Sequence, residues 1–240
     1  MEQTKGILYL IPVTLGDLNV HNVLPQSVFN IVPQLIHYIV ENQKTARKFI
    51  KAIHPETVQA SLQFSEINKY TDPLEISSFL VPCLEGNDMG LMSEAGVPGV
   101  ADPGADVIAL AHLKGITVKP LVGPSSILMA VMASGLNGQN FAFNGYLPMD
   151  TAERRKQIKE LEQRSEREQQ SQLFIETPYR NDKLFEELLN TLHNDTQLSI
   201  SCDISLETEF IKTMPIKLWK KQVPNLHKRP TIFLFLKNSY

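Results

Sequence analysis

Five short apolar runs in the first half of the chain, separated by segments of helical period, constrain the fold more than any other feature. Residues 7–11, 35–40, 61–65, 89–92 and 116–122 read as strands, the third of them weak. Between them lie helical segments at 26–32 and 45–53. One more is opened by Asp72 and Pro73 and runs towards Leu84, with a kink at Pro82. Another is opened by Asp102, Pro103 and Gly104 and runs through Leu113. Aspartate before a first-turn proline is a start signal: the carboxylate takes a free N–H, and proline gives up no bond there. Strands separated by helices pair in parallel, because a parallel neighbour needs a crossover. The expected first domain is therefore a mainly parallel sheet with helices on both faces. A β-sandwich and a helical bundle both fit poorly.

The second half has more strands per residue: 141–143, 173–175, 198–202, 210–214 and 231–236, with helices at 125–134 and 181–193. That density predicts a smaller mixed sheet. The change of character at Gly123-Pro124 sets expected domains of 1–122 and 123–240. Twelve of the 21 residues from Asp150 to Gln170 are charged, six of each sign, which reads as a solvated helix with Ile158 and Leu161 as its apolar contacts.

Composition removes several classes of function. With 42% apolar and 20% charged residues the chain is globular, neither disordered nor fibrous. Cys83 and Cys202 are far apart, so no disulfide framework is expected and a reducing, cytoplasmic setting fits. The six histidines form no HxxxH and the cysteines no CxxC, so no metal site is expected. No apolar run reaches the roughly 18 residues of a membrane span. There is no P-loop and no GxSxG, which leaves NTPase and serine hydrolase chemistry without support.

Four loops can carry chemistry. Residues 93–102, small and flexible between a strand and a helix, lie where parallel sheets bind ligands, although a plain capped turn reads equally well. Residues 122–126 turn through Gly123 and Pro124 into a helix whose first N–H groups are free. Glu176, Thr177, Pro178, Tyr179 and Arg180 gather a carboxylate, a hydroxyl, a phenol and a guanidinium at a strand exit, with Asn181 as an expected cap. Glu41 to Lys44 follow the second strand, offering a carboxylate and a cation.

Taken in order, these loops resemble the tetrapyrrole methylase superfamily of S-adenosylmethionine (SAM) methyltransferases. The residues concerned are Pro12; Ser93-Glu94-Ala95-Gly96-Val97-Pro98 leading to Asp102-Pro103-Gly104; Gly123-Pro124-Ser125-Ser126; Gly145-Tyr146-Leu147-Pro148; and Glu176 to Arg180. Within the superfamily the chain is similar to the ribosomal RNA small subunit methyltransferase I branch, which methylates a ribose 2′-hydroxyl of 16S rRNA. The branch has S-D-A-G-T-P and G-F-L-P where this chain has the second and fourth of these stretches. The resemblance implies two α/β domains of tetrapyrrole-methylase-like fold with SAM in the cleft between them, no metal, a homodimer, and rRNA or the small ribosomal subunit as partner. It places Pro12, Ser93, Glu94, Ala95, Gly96, Val97, Pro98, Pro124, Ser125 and Ser126 against the cofactor.

The polar residues on the substrate side depart from the branch. Its A-E-D-T-R reads Val40-Glu41-Asn42-Gln43-Lys44 here, and its Arg-Glu pair is missing near Cys202. Glu41 and Glu176 are the expected catalytic carboxylates, and Lys44 and Arg180 the expected substrate-binding cations. Besides an RNA ribose methyltransferase, the readings kept open are a SAM methyltransferase on a small molecule such as a tetrapyrrole, and a SAM-binding module without catalysis. The chain's net charge is −3, yet from Ile211 onwards it holds seven cations and no acid. Lys217, Lys220 and Lys221 then form either a solvated face or a phosphate-contacting rim beside the site.

Overall fold

The computed structural model describes residues 4–238. The chain divides between Ser125 and Ser126 into two compact units.

Unit 1 is built on β1 (Ile7–Ile11), β2 (His37–Val40), β3 (Gln63–Glu66), β4 (Met89–Met92) and β5 (Thr117–Pro120), in the order β3-β2-β4-β1-β5. Every pairing is parallel. Alternate residues face opposite ways, so a strand covered on both sides must be apolar throughout. Tyr9, Ile11, Tyr38 and Val40 pack under α1 (Gln26–Ile31) and α2 (Gln43–Ile53). Leu8, Ile39 and Leu91 pack on the other face, under α3 (Pro73–Phe79), α4 (Val81–Leu84) and α5 (Gly104–Leu113).

The cap of α3 follows the sequence signal, whereas α5 starts one residue later than expected, with Pro103 and not Asp102 at its N-cap position. Asp72 accepts the Leu74 N–H at 2.8 Å, and the helix after it breaks at Leu80, so that α4 starts afresh just before Pro82. Asn42 caps α2 through the N–H groups of Lys44 and Thr45, starting that helix two residues earlier than the sequence suggested. Asp102 Oδ1 accepts two N–H groups, from Gly99 and Gly104, each at 2.8 Å. Replacing Asp102 by alanine is expected to lower stability by about 1 kcal/mol, as for other side chains that satisfy free N–H groups at a helix start. Urea unfolding checks it, with Asp102→Asn expected to keep most of the loss from appearing.

Unit 2 is a mixed sheet of β6 (Phe141–Tyr146), β7 (Ser171–Ile175), β8 (Gln197–Cys202), β9 (Phe210–Pro215) and β10 (Thr231–Leu236), ordered β6-β7-β10-β8-β9. β6 and β7 are parallel, and the remaining pairs are antiparallel. One edge of this sheet therefore collects the carboxyl ends of β6, β7 and β8 with the amino ends of β9 and β10. Its core includes Phe174, Phe185, Trp219 and Phe233, packed between the sheet, α7 (Thr151–Glu168), α8 (Asn181–Thr191) and the short α9 (Ile216–Trp219). α6 (Ser126–Ser134) also belongs to this unit.

Two expectations need correction. Asn181 is not a cap: it is fully buried, and its Nδ2 donates to the carbonyls of Arg229 (2.7 Å) and Leu226 (3.5 Å), tying down the loop before β10. The charged helix α7 is not solvated on every side but Ile158 and Leu161, because Arg154 is buried with them.

Candidate functional site

In unit 1 the chain leaves β1 towards β2 and leaves β4 towards β5, in opposite directions across the sheet. The carboxyl ends of these two adjacent strands are thus the topological switch point, where open parallel sheets bind ligands. Three loops meet there. The Val13 N–H donates to the Gly96 carbonyl at 2.8 Å, joining the loop after β1 to the loop after β4. Gly96 has φ 74°, a left-handed conformation that suits glycine. A β-carbon added to it would lie 3.3 Å from Leu15 and 3.5 Å from the Pro124 carbonyl. Gly123 lies flat on Pro12, where an added β-carbon would come within 2.1 Å of the proline Cβ. The result is a cradle of bare backbone at the strand ends, suited to a group held largely through main-chain N–H and C=O. This is the kind of contact expected for SAM.

Beside the cradle is an open pocket of about 260 Å³. Its walls include Thr14, Asp17, Glu41, Thr45, Lys48, Phe49, Ser93, Glu94 and Ala95. Glu41, at the exit of β2, is half-buried and its Oε1 accepts the Glu94 N–H at 3.0 Å. Burial pushes its carboxyl above the ordinary range. The Glu94 N–H opposes that shift, and the nearby charges of Asp102 and Glu94 add to it. Asp102 is also raised, by burial against its two N–H bonds. Thr45 Oγ1 reaches Glu94 Oε1 at 3.2 Å, and Lys48 pairs with Asp17 at 3.1 Å, linking α2 to the loop after β1.

Of the residues expected at the site, Glu41, Ser93, Glu94 and Ala95 line this pocket, and Pro12, Gly96 and Pro124 meet in the cradle. Pro98 is buried and Val97 half-buried in the same loop. Ser125 closes unit 1, and Ser126 opens α6 in unit 2. Lys44 is exposed and off the pocket face of α2, which is formed by Thr45, Lys48, Phe49 and Ala52. That i, i+3, i+4, i+7 pattern was the available signal for Lys48.

Glu176 and Arg180 lie in unit 2, at the exit of β7. Glu176 is buried, and its Oε1 accepts the Thr177 N–H (2.6 Å) and Arg180 Nη2 (2.7 Å) and Nε (3.1 Å). With Met149, Arg154, Lys183 and Leu184 they line a second pocket. Arg180 is thus already engaged by Glu176. Of the lysines of the C-terminal stretch, Lys228 lies at this turn, while Lys217 and Lys220 are elsewhere. α9 follows β9 at the end of the sheet opposite Glu176. There Lys217 pairs with Asp195 at 2.7 Å and Lys220 donates to Asn194 at 2.8 Å.

Among solved structures, the chain has the fold of a methyltransferase class. The crystal structure of the methyltransferase CobJ matches with a TM-score of 0.64 at 14% identity, covering 97% of this chain and 94% of that one. Uroporphyrin-III-C-methyltransferase from Thermus thermophilus matches with a TM-score of 0.56 at 15% identity, covering 97% and 95%. In sequence the chain is similar to ribosomal RNA small subunit methyltransferase I. The Vibrio cholerae protein is 24% identical over 88% of this chain and 69% of its own length. The Bacillus subtilis protein is 28% identical over 86% and 67%, and that of Halalkalibacterium halodurans 27% over 79% and 62%. The chain spans about two thirds of the length of these relatives. No family model matches it. The resemblance read from the five loops is borne out in both sequence and fold. Among the described residues no helix is long and apolar enough to cross a membrane, and no cluster could hold a metal ion.

Proposed function

We propose that the chain is a SAM-dependent methyltransferase acting on a ribose 2′-hydroxyl of ribosomal RNA, working in the cytoplasm as a homodimer. The observation that carries it is the backbone cradle formed by Pro12, Gly96, Gly123 and Pro124 at the ends of β1 and β4, next to a half-buried carboxylate. SAM supplies an activated methyl group when bound. The chain's own work is then to hold a hydroxyl in line with it and to take up the hydroxyl proton. Glu41 is the group for that proton, since its environment already favours a bound proton. Glu176, held on one oxygen by three donors, serves to fix Arg180 and the turn after β7.

SAM at 100 times its Kd is expected to stabilise the protein by about 2.7 kcal/mol, read as a rise in Tm. Label from methyl-tritiated SAM is expected in 16S rRNA of small subunits and not in porphyrin precursors. Label in the porphyrin would establish the small-molecule reading. A Tm shift without transfer to either would establish a non-catalytic SAM-binding module, and no shift at millimolar SAM would end all three.

A further inference from the structure

We propose that the edge of the unit 2 sheet at the carboxyl end of β7 is a platform for single-stranded RNA, on which Tyr179 stacks against an unpaired base and Lys228 and Lys183 meet the flanking phosphates. This rests on the RNA reading above and adds where and how the strand is held.

Tyr179 is 72% exposed, and an exposed aromatic alone means little. Its company is what assigns it. Lys228 Nζ lies 5.6 Å from the centre of its ring, and the His227 ring meets it edge-on at 6.4 Å. Lys228 has φ 59°, an uncommon backbone for lysine, and is held there by its N–H bond to the Pro178 carbonyl at 3.0 Å. The lysine is therefore fastened to the turn that carries the tyrosine. His227 is in turn 3.5 Å from Asp182.

The rest of the edge has the same composition. Tyr146 ends β6 opposite Ile175 and is 59% exposed, and Met149 follows it, also exposed. Lys183, exposed in the first turn of α8, lines the pocket with Met149 and Arg180. The carboxylate in that pocket, Glu176, is bonded to Arg180. Exposed ring faces interleaved with cations are what a single strand uses: bases stack on the rings, and phosphates follow the charge. A duplex keeps its bases stacked inside and offers no face to a tyrosine.

The test uses the full chain and a 12-nucleotide single-stranded oligoribonucleotide carrying 2-aminopurine. Tyr179→Ala is expected to weaken binding roughly 5- to 100-fold and to relieve quenching of the 2-aminopurine, with Tm unchanged because the side chain is exposed. Tyr179→Phe is expected to bind nearly as the parent does. Lys228→Gly, which suits the left-handed backbone, is expected to weaken binding and reduce the salt slope by about one. Tyr179→Ala binding as tightly as the parent would overturn the platform. So would polyglutamate competing as well as RNA, or a larger loss from Lys217, Lys220 and Lys221 changed together to Glu. The SAM-induced Tm shift, measured on the same proteins, separates the two ideas. If it persists while Tyr179 proves silent, the platform alone has failed; if the parent lacks it, the methyltransferase reading has failed.

Discussion

Glu41→Gln is expected to lower kcat by about 10²- to 10⁴-fold, the usual worth of a positioned general base, while the protein becomes more stable at neutral pH. The two effects have one cause. Burial raises the Glu41 carboxyl, and the charges of Asp102 and Glu94 add to the shift. A carboxyl raised on folding contributes stability that is complete below its unfolded value of 4.5 and is lost as pH rises through the folded value. At pH 7 the ionised group is a burden on the fold, and glutamine removes it while its oxygen can still accept the Glu94 N–H. The Tm advantage of the variant should shrink as pH is lowered towards 4. The acid limb of the parent's pH–rate profile should lie above the ordinary glutamate range, because the base must be ionised, and should vanish in the variant. A variant turning over within threefold of the parent would remove Glu41 from the chemistry. A lower Tm at pH 7 would show that the carboxylate is a structural partner, as Glu176 is. Such a residue, costly to stability and needed for turnover, is the common pattern at active sites.

The strands and caps of unit 1 were legible because each is a local signal. The run at residues 7–11 is apolar throughout since both of its faces are covered. Asp72 and Asp102 each accept the N–H two residues on, Asp72 as the N-cap of α3 and Asp102 just ahead of the N-cap of α5. The cradle was legible as a set of small residues, but its reason was not: that Gly123 must lie on Pro12 depends on β5 pairing beside β1, a contact about 110 residues apart. That Lys48 and not Lys44 lines the pocket depends on which face of α2 meets the loop after β1, which no local signal gives. Asn181 looks like a cap in sequence, and only the returning loop at Leu226–Arg229 explains its burial. The basic C-terminal stretch read as one patch. β9 and β10 run the same way with β8 between them, so the crossing from the end of β9 back to the start of β10 carries its charges to opposite ends of the sheet, with Lys228 near Tyr179 and Lys217 near Asp195.

Arg154→Met is expected to destabilise the protein by about 3–5 kcal/mol, the cost of removing one partner from a buried ion pair. Arg154 is only 3% exposed and Glu187 only 5%. The guanidinium grips the carboxylate with both its Nε and its Nη2, the latter at 2.7 Å from Oε1. Its Nη1 also donates to the carbonyls of Pro148 (2.9 Å) and Met149 (3.1 Å). One side chain therefore fastens α7 to α8 and to the turn after β6. Methionine would fill the volume and leave a buried carboxylate and two carbonyls without their donor. At about 2–4 °C per kcal/mol, Tm should fall by roughly 6–20 °C. The pH dependence fixes the cause. Arg154 holds the Glu187 carboxyl below its ordinary value, so the pair's stability is present above 4.5 and lost as pH falls through the folded value. In the variant, burial acts on Glu187 against only the smaller pull of Lys183 and Arg155, so the carboxyl is expected to rise and stability to be lost instead as pH rises. The gap between parent and variant should be widest near neutrality and close as the solution is acidified below 4.5. Arg154→Met combined with Glu187→Leu should recover most of the loss, because two apolar groups leave no charge buried. A single variant within 1 kcal/mol of the parent, or a gap independent of pH, would mean that solvent reaches Glu187 and that the apolar stripe of Ile158 and Leu161 holds α7 in place without the ion pair.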